Sequence, residues 1–121
     1  MGCDIHVVLE YHSECEWKPA FYGTVLHLPR DYKMFGSMAG VRDSSIEPVV
    51  EQRYVPEGWD EDDFSNIRDH ASHSFSWLTS TEFEEAIKRG NGGAEYKVVL
   101  AMMRGFEMCG YPSRIVFGFD S

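Results

Sequence analysis

Residues 3–11 alternate with a period of two: Cys3, Ile5, Val7, Leu9 and Tyr11 fall on one side of an extended chain, and Asp4, His6, Val8 and Glu10 on the other. This is the pattern of a strand with one buried face. The opposite face carries a carboxylate and an imidazole two residues apart, held by the kind of rigid backbone that a binding or catalytic site requires. The alternation returns near the other end, where Ile115, Phe117 and Phe119 oppose Arg114, Val116, Gly118 and Asp120. Two matching apolar faces are most simply covered together. Both ends of the chain are therefore expected in one sheet, with Arg114 or Asp120 near Asp4 and His6.

Between these ends the period changes. Residues 12–16 form a polar turn and residues 17–22 a returning strand, short or at an edge because of Pro19. Residues 25–29 are extended, since the residue before a proline is pushed out of the helical region. Asp31 caps a short core helix with Tyr32, Phe35 and Met38 or Ala39 on one face, ending at Gly40. Residues 41–57 lack a strong period, although Ile46, Val49 and Val50 suggest a strand fragment punctuated by Pro48 and Pro56.

Residues 58–69 hold the main acidic cluster, with Phe64 and Ile67 spaced for a short amphipathic helix whose start the acids favour. Residues 74–78 read as a buried linker into a helix opened by the capping box Thr79-Ser80-Thr81-Glu82, with Phe83, Ala86 and Ile87 inward and Gly90 at its end. A further helix over residues 94–109 carries Tyr96, Val99, Leu100, Met103 and Phe106, and Gly110 and Pro112 stop it. Its methionines read as core filling. The expected fold is α+β: a small antiparallel or mixed sheet including the N- and C-terminal strands, packed against two to four helices.

Length and composition narrow the functional classes. At 121 residues the chain is one domain, 1–121, and 14% aromatic residues are enough to build an ordered core. The net charge of −9 disfavours generic binding to nucleic acid or to an anionic membrane. No apolar run approaches the roughly 20 residues of a membrane helix, so a soluble protein is expected. Cys3, Cys15 and Cys109 have no disulfide-framework spacing, and no secretory signal precedes them, which fits a reducing cytoplasm.

Several groups can carry chemistry. Asp4 and His6 on one strand face can share a divalent metal, pair as base and orienter, or hold a polar ligand. Cys3, His6, His12 and Cys15 spell C-x2-H-x5-H-x2-C with zinc-type ligands, but Cys3 and His6 are an odd number of residues apart and point to opposite faces. Asp69, His70 and His73 form a second cluster. With His70 and His73 on one helical turn, these residues and Asp4 and His6 can assemble a two-histidine, one-carboxylate site. Ser74, Ser76 and Thr79 add hydroxyls suited to phosphate or ribose oxygens beside a helix start. Arg30, Arg42 and Arg53 stand out in so acidic a chain as partners for an anion, although salt bridges to the many acids are the ordinary alternative.

The blocks Met1-Gly2-Cys3-Asp4-Ile5-His6, Arg30-Asp31-Tyr32-Lys33-Met34-Phe35 with Ala39-Gly40-Val41-Arg42, His73-Ser74-Phe75-Ser76-Trp77-Leu78-Thr79, and Arg114-Ile115-Val116-Phe117-Gly118-Phe119-Asp120 resemble, in this order, a family of small bacteriophage-encoded proteins. Relatives in that family carry a second histidine where this chain has Phe75, and leucine where it has Met34. The resemblance implies a phage or prophage origin, a bacterial host cytoplasm, and countering host defence as context; it implies no particular chemistry.

Three readings follow. The first is a non-enzymatic protein that captures a small anionic, nucleotide-like ligand through Asp4, His6, Arg42, His73, Ser74 and Ser76. The second is a metal-dependent hydrolase acting on a nucleotide or phosphoester, with Asp4, His6 and His73 as candidate ligands of a divalent metal. The third is an acidic antagonist that occupies a basic groove of a host protein through residues 60–63. A homo-oligomer is compatible with each.

Overall fold

The two alternating ends meet. In a computed structural model that describes residues 2–56 and 67–121, β1 (Asp4–Ser13) runs antiparallel to the last strand, Ser113–Asp120, with Asp4 opposite Asp120 and Tyr11 opposite Ser113. In chain order the other elements are β2 (Glu16–Pro19), a short 3-10 turn (Ala20–Gly23), β3 (Val25–His27), α1 (Tyr32–Ala39), β4 (His73–Thr79), α2 (Ser80–Gly90) and α3 (Ala94–Met108), which makes the last strand β5. The sheet order is β2-β1-β5-β4, all antiparallel. β3 joins the edge of β1 that β2 has left free, since β5 occupies the other edge. The architecture is α+β, as the hydrophobic pattern predicts.

The helices cover one face of the sheet. Ile5, Val7 and Leu9 of β1 and Ile115, Phe117 and Phe119 of β5 pack there against Met34, Phe35, Phe83, Tyr96 and Met103, all essentially buried. Each such side chain contributes roughly 1.5–3 kcal/mol of apolar burial. The helix boundaries follow from local chemistry. The Asp31 carboxylate accepts the Met34 amide at the start of α1, and Gly40 closes it in the left-handed region at φ 70°. Thr79 and Glu82 form the reciprocal capping box of α2, which ends on left-handed Asn91.

Three local expectations change. The returning strand stops at Pro19 instead of Tyr22, because Phe21 and Tyr22 take left-handed conformations; extension resumes only in β3. Residues 74–78 belong to strand β4 and are not a linker. Ser76 sits at a core-facing position opposite Phe117, where its hydroxyl accepts the Arg53 amide, and this buried polar residue hides the strand alternation. The edge of β4 is covered by Gln52 and Arg53, which donate to the carbonyls of Phe75 and Trp77. Ile46, Val49 and Val50 form no strand, and the Val49 amide instead donates to the Ser37 carbonyl. Most of the acidic segment, including residues 60–63, lies outside the described residues.

The other face of the sheet is partly roofed by residues 67–72. Ile67 and Ala71 pack on Val8, with Val25 and Phe75 beside them, and the Ser72 amide donates to the Phe119 carbonyl. Gly118 permits this approach: a Cβ there would come within 2.7 Å of the Phe75 ring and 3.0 Å of Ala71.

Candidate metal centre

His6 projects from the roofed face of β1. The register places it opposite His27 of β3 on one side and opposite Gly118 of β5 on the other. Cross-strand partners share a face, so the two imidazoles meet edge to face with centroids 4.7 Å apart and their Nδ1 atoms at 2.9 Å. His70 arrives from the roof. The amides of His70 and Ala71 both donate to the Ile67 carbonyl, and buried Ile67 seats this turn so that the His70 ring lies 5.6 Å from His6 and 5.2 Å from His27.

One nitrogen from each of the three rings lies within 4.8 Å of the other two. A tetrahedral zinc bound at about 2.0–2.1 Å spaces its ligand nitrogens about 3.4 Å apart, so the trio has the dimensions of a metal site. His6 is buried, while His27 and His70 are exposed, which leaves the site open to solvent on one side.

Asp120 sets the chemistry of His6. Its Oδ2 lies 2.5 Å from His6 Nε2, and its Oδ1 accepts the Asp4 amide at 3.2 Å. With the Nε2 proton held on the carboxylate, the Nδ1 lone pair is directed at His27, which is how a supporting carboxylate orients a metal-binding histidine. Burial, followed by the neighbouring His6 and His70, holds His27 below the ordinary imidazole value of 6.5, and so in the neutral form that can ligate. Replacing Asp120 with asparagine should weaken zinc binding by roughly 10–100-fold with little change in fold, measured by competition against a chromophoric chelator.

The other sequence-derived residues each have partners of their own. Asp4 neighbours the trio, but its two oxygens accept from Nε and Nη2 of Arg30 at 3.0 and 3.1 Å, and this fork holds its carboxyl below the usual range. His73 begins β4 instead of sharing a helical turn with His70. It pairs with Phe119, on whose core-facing ring it stacks, and its nitrogens meet the Ser74 and Ser121 hydroxyls. Ser76 is buried under the Arg53 amide, and Thr79 is used in its own helix cap. Arg42 lies over the Tyr32 ring and beside the Cys3 thiol. Asp4 and His6 thus sit side by side at the Asp120 end of β5, with His73 reaching the neighbouring Ser121, while Arg42 is engaged by Tyr32 and Cys3, and Ser76 by Arg53. Cys3 is buried in the core and Cys15 exposed in the hairpin turn, as the strand parity requires, so neither joins His6.

The sequence marks His27 only weakly, through the parity of β3. In β3, Leu26 packs with the main core and Val25 with the roof cluster, so His27, in step with Val25, belongs on the His6 face. That parity is visible in the sequence; the pairing with His6 is not. Gly118 is the second unmarked determinant. Gly118→Ala should push the roof outward, costing roughly 1–3 kcal/mol in chemical denaturation and weakening metal binding through displacement of His70.

The fold and this centre define a small α+β protein with a three-histidine candidate metal site. In comparisons with known proteins, the chain matches no family model, no curated protein and no solved structure.

Proposed function

We propose that this protein binds a divalent transition metal, zinc foremost, through His6, His27 and His70, and uses it to hydrolyse a phosphoester. The observation that carries the reading is the convergence of three imidazoles from three separate segments, one backed by Asp120, with open solvent on one side. Three neutral nitrogen ligands with a vacant position suit a zinc-bound water whose pKa is lowered to about 7. Held by His6, His27 and His70, with Asp120 keeping the His6 Nε2 proton, the metal would supply the nucleophilic hydroxide and polarise the phosphoryl group, and the displaced leaving oxygen would take its proton from solvent. The phage context implied by the sequence resemblance makes a nucleotide-derived signal of host defence the natural substrate type.

Capture without turnover, the first reading from the sequence, can use the same centre, and one experiment separates the two. Zinc-loaded protein is incubated with mononucleotides, dinucleotides and bis(p-nitrophenyl) phosphate, and the products are analysed after denaturation. Zinc-dependent product that disappears in His27→Ala supports hydrolysis. A stoichiometric nucleotide recovered intact means capture, and purified protein that takes up no zinc, manganese or cobalt refutes the metal reading.

A further inference from the structure

We propose that Arg30 is the oxyanion-recognising group of this centre, and that a phosphoryl group displaces the Asp4 carboxylate from it. The inference rests on the metal-dependent reading above. Arg30 presents Nε and Nη2 in parallel to the two Asp4 oxygens, the same fork with which arginine takes two oxygens of a phosphate. In the unliganded protein Asp4 therefore stands where the phosphoryl oxygens would bind.

The arginine is seated by its surroundings. A Cβ at Gly2 would fall 2.1 Å from the guanidinium, so the glycine gives Arg30 room to lie across the start of the chain where a side chain would make it shift. The turn that precedes it is tied down where the Tyr96 hydroxyl donates to the Pro29 carbonyl at 2.6 Å. The spacing Gly2-x-Asp4-x-His6 thus has a physical reading: room for the guanidinium, its carboxylate partner, and a metal ligand.

The Arg30 fork also stands next to the centre. Asp4 and His6 are two residues apart on one strand face, about 6–7 Å along the backbone, and the Asp4 amide binds the carboxylate that supports His6. Both members of the Arg30–Asp4 pair are about half exposed, so the pair is screened by solvent and easily exchanged. Three neutral imidazoles leave both charges of a divalent metal uncompensated by its ligands. A phosphoryl dianion can offset more of the combined charge of the metal and Arg30 than a carboxylate with a single charge.

The test is calorimetric titration of inorganic phosphate, and separately acetate, into zinc-loaded wild type, Arg30→Ala, Arg30→Lys and Asp4→Asn, with the zinc content of each sample measured. Phosphate should bind Arg30→Ala at least about tenfold more weakly and Arg30→Lys at an intermediate level, whereas Asp4→Asn, freed of the internal competitor, should bind it roughly 3–10-fold more tightly. Zinc in every sample with phosphate affinity indifferent to both Arg30→Ala and Asp4→Asn overturns the role of Arg30 and leaves the metal reading standing. Acetate binding as tightly as phosphate overturns the phosphoryl class. Absence of zinc from the wild type overturns the metal reading and this inference with it.

Discussion

Replacing His6 with alanine should reduce zinc affinity by more than the roughly 10–100-fold expected for loss of a supporting partner alone, because it removes a ligand and leaves Asp120 nothing to orient. His27→Ala and His70→Ala should have the same effect on zinc. His70 is exposed, so its removal should change the stability of the metal-free protein by no more than about 0.5 kcal/mol, whereas His27→Ala also strands the buried His6 Nδ1. Zinc loss in His70→Ala at unchanged melting temperature would separate ligation from misfolding. Full zinc occupancy in all three would abandon the centre.

The pH dependence follows from the same geometry. His6 Nδ1 and His27 Nδ1, 2.9 Å apart, share a proton in the metal-free protein, and a metal has to displace it. Zinc affinity should therefore fall as the pH is lowered through the imidazole range. His27 has a depressed value in the folded protein, so the unfolded chain takes up the proton first. Its contribution to stability is complete above about 6.5 and declines as the pH falls from there toward the lower folded value. Acid titration of the metal-free protein, followed by circular dichroism with and without His27→Gln, measures this window.

The largest effect on stability is expected at Glu10 and Arg114, a cross-strand pair on β1 and β5 that shares a face with His6 but lies farther along the strands. Arg114 Nε donates to Glu10 Oε1 at 2.7 Å, both side chains are almost fully buried, and the guanidinium lies 4.0 Å from the centroid of the Trp17 ring. Breaking a buried pair leaves an uncompensated charge. Glu10→Ala should cost about 3–5 kcal/mol. In a domain of this size that lowers the melting temperature by roughly 10–20 °C. Replacing both residues at once, Glu10→Met with Arg114→Leu, should be less damaging than Glu10→Ala alone, since no charge is then stranded. A double variant less stable than the single one would mean that the aromatic stack on Arg114, and not its charge, holds this end of the sheet.

How far the candidate site was legible differs from residue to residue. Asp120 beside His6 followed from two alternating apolar strands that had to share a sheet, because burial of one face fixes what lies on the other. The caps at Asp31 and Thr79 were legible because they are local chemistry within four residues. The spacing of three residues groups His70 with His73 on one helical turn. The sheet separates them: His73 follows Phe119 on the core-facing side, while His70 ends the turn that roofs the opposite face. Ser76 looked like a ligand-binding hydroxyl and is instead a buried acceptor for the Arg53 amide, since a short polar side chain is as useful to the edge of a sheet as to a ligand.

Periodicity and caps thus determined the α+β class, the pairing of the two ends, the inward face of each helix and the opposite facings of Cys3 and His6, all of which depend on backbone geometry within a few residues. Tertiary structure alone decided that His27 stands across from His6, that Gly118 admits a roof carrying His70, and that Arg30 grips Asp4. Those contacts join residues 21 to 64 positions apart or depend on a missing side chain. They arise from strand register and close packing, which no local pattern encodes.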